Sequence, residues 1–484
     1  MHRSLTAGAL VMVLISLFWV FHAQFNAYAR AEDDQMSFYV NALALQHPSV
    51  YEADSARVMN FLGGAPRNAN CNCLWEQFRF KLRHDFRNHY FLYHILLSKV
   101  NEWWAPLRAE TSYPVFVSIV ILSASHLLYG AALACLAFIF LGWIRSDLVA
   151  ALAVSIAAML TLDLFSPIHP SFWILRVRPS DLSGVLESLK NAFFLLLSPS
   201  APLTGWFPRS AFALLLLGVF GLRWSGRPGM AYFVLALLTP LHEGSGILAF
   251  GALLLTDLLL RPSILRKPSV AAGVASNLAV ALMPNALVGS ITGIHPMLIL
   301  ALLAGGLGVA SITWAIWRHM GWIRGLVLKL RSLPARLGEV GAELALLAGL
   351  WFVITPLAML MYIVVGQPEA IYTWGDLPAR YLMLMRGPLF LGLAYLAIFR
   401  YRSPELVRGG IALAAGAICL AVAWQTTAHF PDRLLLPASA QTLEDAVIRA
   451  PNVQPVPYDE ATMYYAMAKS MESGSDFMEP LLKR

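Results

Sequence analysis

Long apolar runs recur along this chain, and short polar segments separate them. An α-helix needs roughly 20 apolar residues to cross a hydrocarbon core about 30 Å thick. Runs that fit or approach this pattern cover residues 5–25, 114–143, 147–166, 210–222, 229–241, 244–260, 269–288, 296–317, 343–366, 385–399 and 409–426. Because backbone groups in lipid must be hydrogen-bonded within their own segment, the pattern predicts an all-α integral membrane protein with about 11 transmembrane helices.

The polar segments divide the chain into four predicted regions. They are a first transmembrane helix at 1–26, an external loop with interfacial helices at 27–112, a multi-span bundle at 113–426, and a short external C-terminal tail at 427–484 with a helix near 460–471. Ala27-Tyr28-Ala29 resembles a signal-peptide cleavage site, but the preceding run is long and carries bulky aromatics, which favours a retained helix.

Loop charges predict the orientation of the helices. Lys and Arg prefer cytoplasmic loops. If the N-terminus is cytoplasmic and the stretch 181–197 is re-entrant or lies on the surface, every predicted cytoplasmic loop is basic. Among the external loops between later spans, 288–296 has no Lys or Arg, and 366–385 has only Arg380. We therefore expect a protein of the bacterial inner membrane with a cytoplasmic N-terminus and a periplasmic C-terminus.

Composition supports the membrane class. The 484 residues are 58% hydrophobic and 13% charged, and the mean hydropathy is +0.62. The net charge of +7 does not indicate nucleic-acid binding, because the basic residues lie in short loops rather than on one face. Cys71 and Cys73 do not form a zinc pattern, which favours a structural or incidental role over redox or metal chemistry.

The acidic stretch Glu32-Asp33-Asp34 directly follows the first apolar run. A carboxylate at the membrane surface can act as a general base or bind a divalent cation. Carboxylates at this position also cap a helix and interact favourably with its dipole. Asp33 and Asp34 are therefore candidate catalytic residues with a plain structural alternative.

Other polar candidates lie on the same predicted side. His242 and Glu243 occupy a Pro-and-Gly-flanked break between two apolar runs, where a phosphate contact, metal ligation or helix capping would each fit. Further candidates for contact with an anionic lipid are Arg176, Arg178, Lys190, Arg380 and Arg386. Interfacial Lys and Arg side chains also contact headgroups without any substrate, so both interpretations stay open.

Three short motifs resemble those of one enzyme family. They are Glu32-Asp33-Asp34-Gln35-Met36-Ser37-Phe38-Tyr39-Val40-Asn41-Ala42-Leu43, Tyr90-Phe91-Leu92-Tyr93-His94-Ile95-Leu96 and Pro378-Ala379-Arg380-Tyr381-Leu382. Their order and the layout of spans resemble the GT-C superfamily of membrane glycosyltransferases, which includes the protein O-mannosyltransferases and the lipid A aminoarabinose transferase.

The resemblance implies transfer of a sugar from a polyprenyl-phosphate donor to a lipid, glycan or protein acceptor at the periplasmic face. Asp33 or Asp34 would be the base, with a divalent cation as an optional cofactor held by Asp33, Asp34 and His242. The donor phosphate would be bound by Arg380, Arg386, His242, Arg176, Arg178 and Lys190. Glu243 and Tyr381 would orient the acceptor. Rival functions are a lipid or polysaccharide transporter or flippase, and a non-catalytic subunit of a polymer-export assembly.

Overall fold

The computed structural model describes residue 5, residues 7–16, 33–64, 90–111, 113–143, 208–287, 321–365 and 460–474, and parts of 381–420. Within these ranges the ordered elements are helices, and no strand occurs. The α-helices are α1 Ala7–Ser16, α2 Asp33–Ala44, α3 Pro48–Gly64, α4 Phe91–Trp104, α5 Tyr113–Trp143, α6 Pro208–Trp224, α7 Pro228–Leu238, α8 Glu243–Leu260, α9 Pro268–Leu287, α10 Gly321–Arg331, α11 Leu333–Val365 and α12 Glu460–Ser473. The all-α prediction is confirmed for this part of the chain.

Two of the described helical segments, Glu243–Leu260 and Leu333–Thr355, are long and apolar enough to cross a membrane. Shorter apolar segments lie in α1, α5, α6, α7 and α9. Helices occupy the predicted runs at 114–143, 210–222, 229–241, 244–260 and 269–288 within one or two residues. The predicted runs at 147–166 and 296–317 lie outside the described residues.

The basic segment before the predicted run at 343–366, expected to be a cytoplasmic loop, is mostly helical from residue 321 onward. α10 covers Gly321–Arg331, and α11 begins at Leu333, ten residues before the predicted run. Gly338 interrupts α11 with a φ of +76°, a backbone conformation that glycine adopts without steric cost. The basic residues therefore lie on α10 and on the first short segment of α11.

Close approach of α7 and α9 depends on two glycines. A Cβ at Gly229 would lie 2.7 Å from Ser269 Oγ, and one at Gly273 would lie 2.6 Å from the Cβ of Tyr232. Small residues let helix backbones pack closely, which is the usual source of attraction between helices in lipid. Asn277 adds a side-chain amide that donates to the Tyr232 carbonyl at 2.6 Å.

A buried ionic network joins α6, α8 and α11 at one end of the bundle. The guanidinium of Arg223 makes a two-pronged contact with Asp257, and its Nε donates to Glu343 Oε1 at 2.6 Å. These three side chains are at most 1% exposed. The Tyr232 hydroxyl donates to Asp257 Oδ2 at 2.7 Å. Arg223 is thus paired with carboxylates from two different helices.

Arg261 extends the network toward the surface. Its Nη2 donates to Glu343 Oε2 at 2.8 Å and to Asp257 Oδ1 at 3.3 Å, and its Nη1 contacts Glu339 at 3.1 Å. Two arginines therefore balance the two buried carboxylates. Bidentate geometry and charge balance are the conditions under which a buried ion pair offsets its desolvation cost.

Helix directions place this network far from the His242 turn. Asp257 lies 15 residues after His242 along α8, which corresponds to about 22 Å at 1.5 Å per residue. Phe212 near the start of α6 contacts His242, whereas Arg223 lies near the end of the same helix. The charged network and the His242 turn are therefore at opposite ends of the helices.

The C-terminal helix α12 packs against α2. Residues Met463 to Ala468 are buried, and their side chains belong to the main hydrophobic core together with Met36, Tyr39 and Val40. The Tyr113 and Tyr465 rings meet edge to face at 5.2 Å. The predicted helix near 460–471 is confirmed, and it is an integral part of the layer formed by α2 and α4.

Replacing Arg223 tests the importance of the network. In the Arg223→Gln variant the buried Asp257 and Glu343 lose their main cation, so we expect the free energy of unfolding to fall by about 3–5 kcal/mol. Thermal unfolding of the detergent-solubilised protein measures the effect. Arg266→Gln, at an exposed arginine of the neighbouring 3-10 turn, is the matched control and should unfold like the wild type. Equal stability of the two variants would contradict the assignment.

Candidate functional site

The predicted acidic site lies at the start of α2. This helix begins at Asp33, so Asp33 and Asp34 occupy its first turn, where negative charge interacts favourably with the helix dipole. The side chains of Asp33 and Asp34 lie outside the described part of the structure. Phe38 follows Asp34 by one helical turn, so the two residues lie on the same side of α2. The contacts of Phe38 therefore show which elements lie next to that side of the helix.

Aromatic contacts connect the start of α2 to α4. The Phe38 ring meets Tyr90 at 5.1 Å and Tyr93 at 5.6 Å, both edge to face. His94 lies 6.0 Å from Tyr90 and is fully buried. Edge-to-face pairs of this kind are a favoured arrangement of aromatic rings. The first and second predicted motifs are thus in contact.

The same cluster reaches the His242 turn. The Tyr90 ring lies 5.1 Å from the imidazole of His242, and Phe212 on α6 lies 6.5 Å from it. The start of α2 and the start of α8 are therefore separated by two successive ring contacts, through Phe38, Tyr90 and His242. The structure therefore brings the second turn of α2, which follows Asp33 and Asp34 in sequence, close to the His242 turn.

His242 has a defined local role. It is the residue before α8, and its Nδ1 accepts a hydrogen bond from the Ser245 backbone N–H at 3.1 Å. A ring that accepts at Nδ1 carries the proton of its neutral form on Nε2. The capping interpretation from the sequence is therefore correct, and a contact through Nε2 remains compatible with it.

A tight turn holds this cap in place. The 3-10 turn Thr239–Leu241 precedes His242, and a Cβ at Gly246 would lie 2.5 Å from Thr239 Oγ1, so a larger residue would push the turn away from α8. Glu243 is the first residue of α8, where an acidic side chain suits the helix dipole.

Tyr381 is buried beside α11. Its hydroxyl donates to the Leu347 carbonyl at 2.8 Å, and the residue is 1% exposed. The contact ties the segment that follows Arg380 to α11, which is a packing contribution. The remaining predicted phosphate contacts lie outside the described residues; these are Arg176, Arg178, Lys190, Arg380 and Arg386.

A second polar cluster beside α2 was not predicted. The Tyr39 hydroxyl lies 2.7 Å from Glu472 Oε1 and 2.9 Å from Asn101 Oδ1, and Arg108 pairs with Glu472 Oε2 at 2.8 Å. The Glu472 side chain is 1% exposed. Burial raises the pKa of its carboxyl above the ordinary value, while the neighbouring hydroxyls and Arg108 oppose the shift. This cluster fixes the side of α2 that faces α12.

Metal ligation remains a prediction. Among the described residues, no group of three or more His, Cys, Asp or Glu side chains is arranged to hold a metal ion. The proposed ligand set includes Asp33 and Asp34, whose side chains are not described, so the divalent-cation hypothesis is untested.

Comparison of the chain with protein-family models, with curated proteins and with solved structures gives no match.

Two substitutions at His242 separate capping from other roles. His242→Ala removes the acceptor for the Ser245 amide, so we expect the start of α8 to lose about 1 kcal/mol of local stability. Hydrogen exchange of the Ser245 amide should then be roughly fivefold faster. His242→Asn supplies a side-chain oxygen at the cap and should restore slow exchange. If both variants exchange at the wild-type rate, the cap does not stabilise the helix.

Proposed function

We propose that this protein is a polytopic membrane glycosyltransferase that moves a sugar from a polyprenyl-phosphate donor to an acceptor at the external face of a bacterial inner membrane. The supporting observation is the contact of Phe38, Tyr90 and His242, which joins the second turn of α2 to the residue that precedes α8. The resemblance of the Asp33-Asp34 segment to GT-C enzymes supplies the reaction class.

In the proposed reaction, an acceptor hydroxyl oxygen attacks the anomeric carbon of the donor sugar. Its proton passes to the carboxylate of Asp33 or Asp34, and the bond from the anomeric carbon to the phosphate oxygen breaks. The lipid phosphate leaves with the bonding electrons. A carboxylate within hydrogen-bond reach of the hydroxyl is suited to this proton transfer.

The leaving phosphate needs cations and hydrogen-bond donors. His242, neutral with its proton on Nε2, is a donor of the kind that a phosphate oxygen accepts. Arg380 and Arg386 are the proposed cations, because a guanidinium can bond two phosphate oxygens at once. Arg176, Arg178 and Lys190 would contact the same headgroup from the re-entrant segment, and Glu243 and Tyr381 would orient the acceptor.

The proposed topology has eleven spans, a cytoplasmic N-terminus and a periplasmic C-terminus. Its support is the position of the polar clusters. The Arg223 network lies at the ends of α6 and α8 where the flanking loops are basic, and the His242 turn lies at the other end. Lys and Arg favour cytoplasmic loops, so this distribution supports an external position for His242 and the start of α2.

A transporter or flippase is the rival function for which the structure offers a specific argument. Transporters use ionisable groups inside their helices. Arg223, Asp257 and Glu343 are such groups. They are, however, mutually paired, and they lie near one end of the bundle rather than at mid-depth. This arrangement favours a structural network.

The aspartates provide the direct test of the enzyme proposal. In cells that lack the gene, we expect the wild type to restore the missing glycan or glycolipid, measured by mass spectrometry of lipid-linked sugars and their acceptors. The Asp33→Asn/Asp34→Asn double variant should reduce transfer by roughly 10²–10⁴-fold, the usual range for loss of a general base. Its membrane level should be unchanged.

Glu110→Gln, an exposed carboxylate in the same external region, is the control and should keep full activity. Full activity of the double variant would remove the two carboxylates from the mechanism and leave the non-catalytic subunit and the transporter as the better hypotheses.

A further inference from the structure

Helix α4 exposes large apolar side chains on its outer face, with Leu92 at 41% and Trp103 at 69% exposure. Its inner face is mixed: beside buried apolar residues it carries polar side chains, with His94 at 0%, Ser98 at 6% and Asn101 at 9% exposure. A surface helix of a soluble domain carries polar residues on its outer face instead.

Two of the buried polar side chains of α4 have partners on or next to α2. Gln46 Nε2, in the turn after α2, donates to Ser98 Oγ at 2.8 Å, and the Tyr39 hydroxyl donates to Asn101 Oδ1 at 2.9 Å. These hydrogen bonds direct the polar side chains of α4 toward α2 and the turn that follows it. As a consequence, the opposite side of α4 points away from the rest of the protein. We call the row of side chains on that side the α4 stripe and define it as Leu92, Leu96, Lys99 and Trp103. These residues are spaced by three or four and lie on one side of the helix.

The neighbouring helix α5 indicates what covers this stripe. α5 has 31 residues, which makes it about 46 Å long, whereas the hydrocarbon core is about 30 Å thick. One or both ends must therefore project into the headgroup layer. Phe138, in the second half of α5, is 72% exposed, as expected for a lipid-facing side chain.

Trp104 attaches the end of α4 to the side of α5. Its Nε1 donates to Ser123 Oγ at 2.9 Å, and Ser123 lies ten residues after Tyr113, or about 15 Å along the helix. This length equals the part of α5 that exceeds the hydrocarbon thickness when that excess lies at the start of α5. In that position of α5, the end of α4 is beside the level at which α5 enters the bilayer.

The composition of the stripe fits that level. Tryptophan is enriched at the membrane-water interface, and lysine lays its methylene stem along apolar surface while its ammonium stays in water. Lys99 is 60% exposed and pairs with Glu102 at 2.8 Å, as expected for a charge at a wet boundary. Phe91, 46% exposed, adds apolar area at the other end of the helix.

We propose that the α4 stripe is inserted in the external lipid headgroup layer, so that α4 forms a wall between lipid on its outer face and the Tyr90-His94 aromatic cluster on its inner face. The occupant is the bilayer itself, whose apolar surface continues from α5. The proposal rests on the membrane location given above and is independent of sugar transfer.

Collision accessibility of nitroxide labels tests this placement. The full-length protein, with its native cysteines replaced by serine, is labelled at Leu92→Cys or Trp103→Cys and reconstituted in nanodiscs of phosphatidylethanolamine and phosphatidylglycerol. Oxygen, which concentrates in lipid, and a water-soluble nickel chelate are the two relaxation agents. Phe138→Cys is the lipid-facing reference, and Glu110→Cys is the water-facing reference.

We expect the ratio of oxygen to nickel accessibility at residues 92 and 103 to exceed that at residue 110 several-fold and to approach that at residue 138. A ratio like that of residue 110 would mean that the stripe faces water. Low accessibility to both agents would mean that another segment of the chain covers it. Either result overturns the proposal. A water-like ratio at residue 138 itself would instead contradict the membrane location.

Discussion

The pairing of Arg223 with Asp257 and Glu343 is the constraint on which the rest of the bundle depends. A guanidinium taken out of water costs several kcal/mol unless partners of good geometry surround it. Here the partners come from α8 and α11, so a shift of either helix along its axis would leave a buried charge unpaired. The network therefore fixes the register of three helices at one end. Because α8 is a continuous helix, this register also fixes the position of the His242 turn at its other end.

The His242 end of the bundle is held by packing on two sides of α2. Phe38 contacts the aromatic rings of α4, whereas its neighbour Tyr39 points toward α12 and meets Glu472. Successive residues on a helix are about 100° apart, so these two contacts restrain both the rotation and the position of α2. The first turn of α2, which carries the proposed catalytic carboxylates, is consequently attached to a rigid element. Rigid support of this kind is what a general base needs to stay within reach of its substrate.

The helices were predictable from local pattern, but the contacts between them were not. The apolar run at 244–260 predicts α8 to within one residue, and a helix near 460–471 anticipates α12. From the sequence alone, Arg223 is one basic residue among those of the predicted cytoplasmic loops, because its partners lie 34 and 120 residues away in sequence. One signal was available in the sequence. One basic and two acidic residues, Arg223, Asp257 and Glu343, lie within apolar runs or at their ends, on the same predicted side of the membrane. The contact of Tyr39 with Glu472, 433 residues apart, has no comparable signal.

In the proposed topology, the His242 end and the Arg223 end of the bundle face opposite sides of the membrane. Labelling of single cysteines with a membrane-impermeant maleimide measures this sidedness. Glu110 before α5 and Lys267 beside the end of α8 are exposed positions at the two ends. In intact spheroplasts, Glu110→Cys should react and Lys267→Cys should react only after the membrane is permeabilised. Labelling of both residues from the same side, or the reverse order, would contradict this topology.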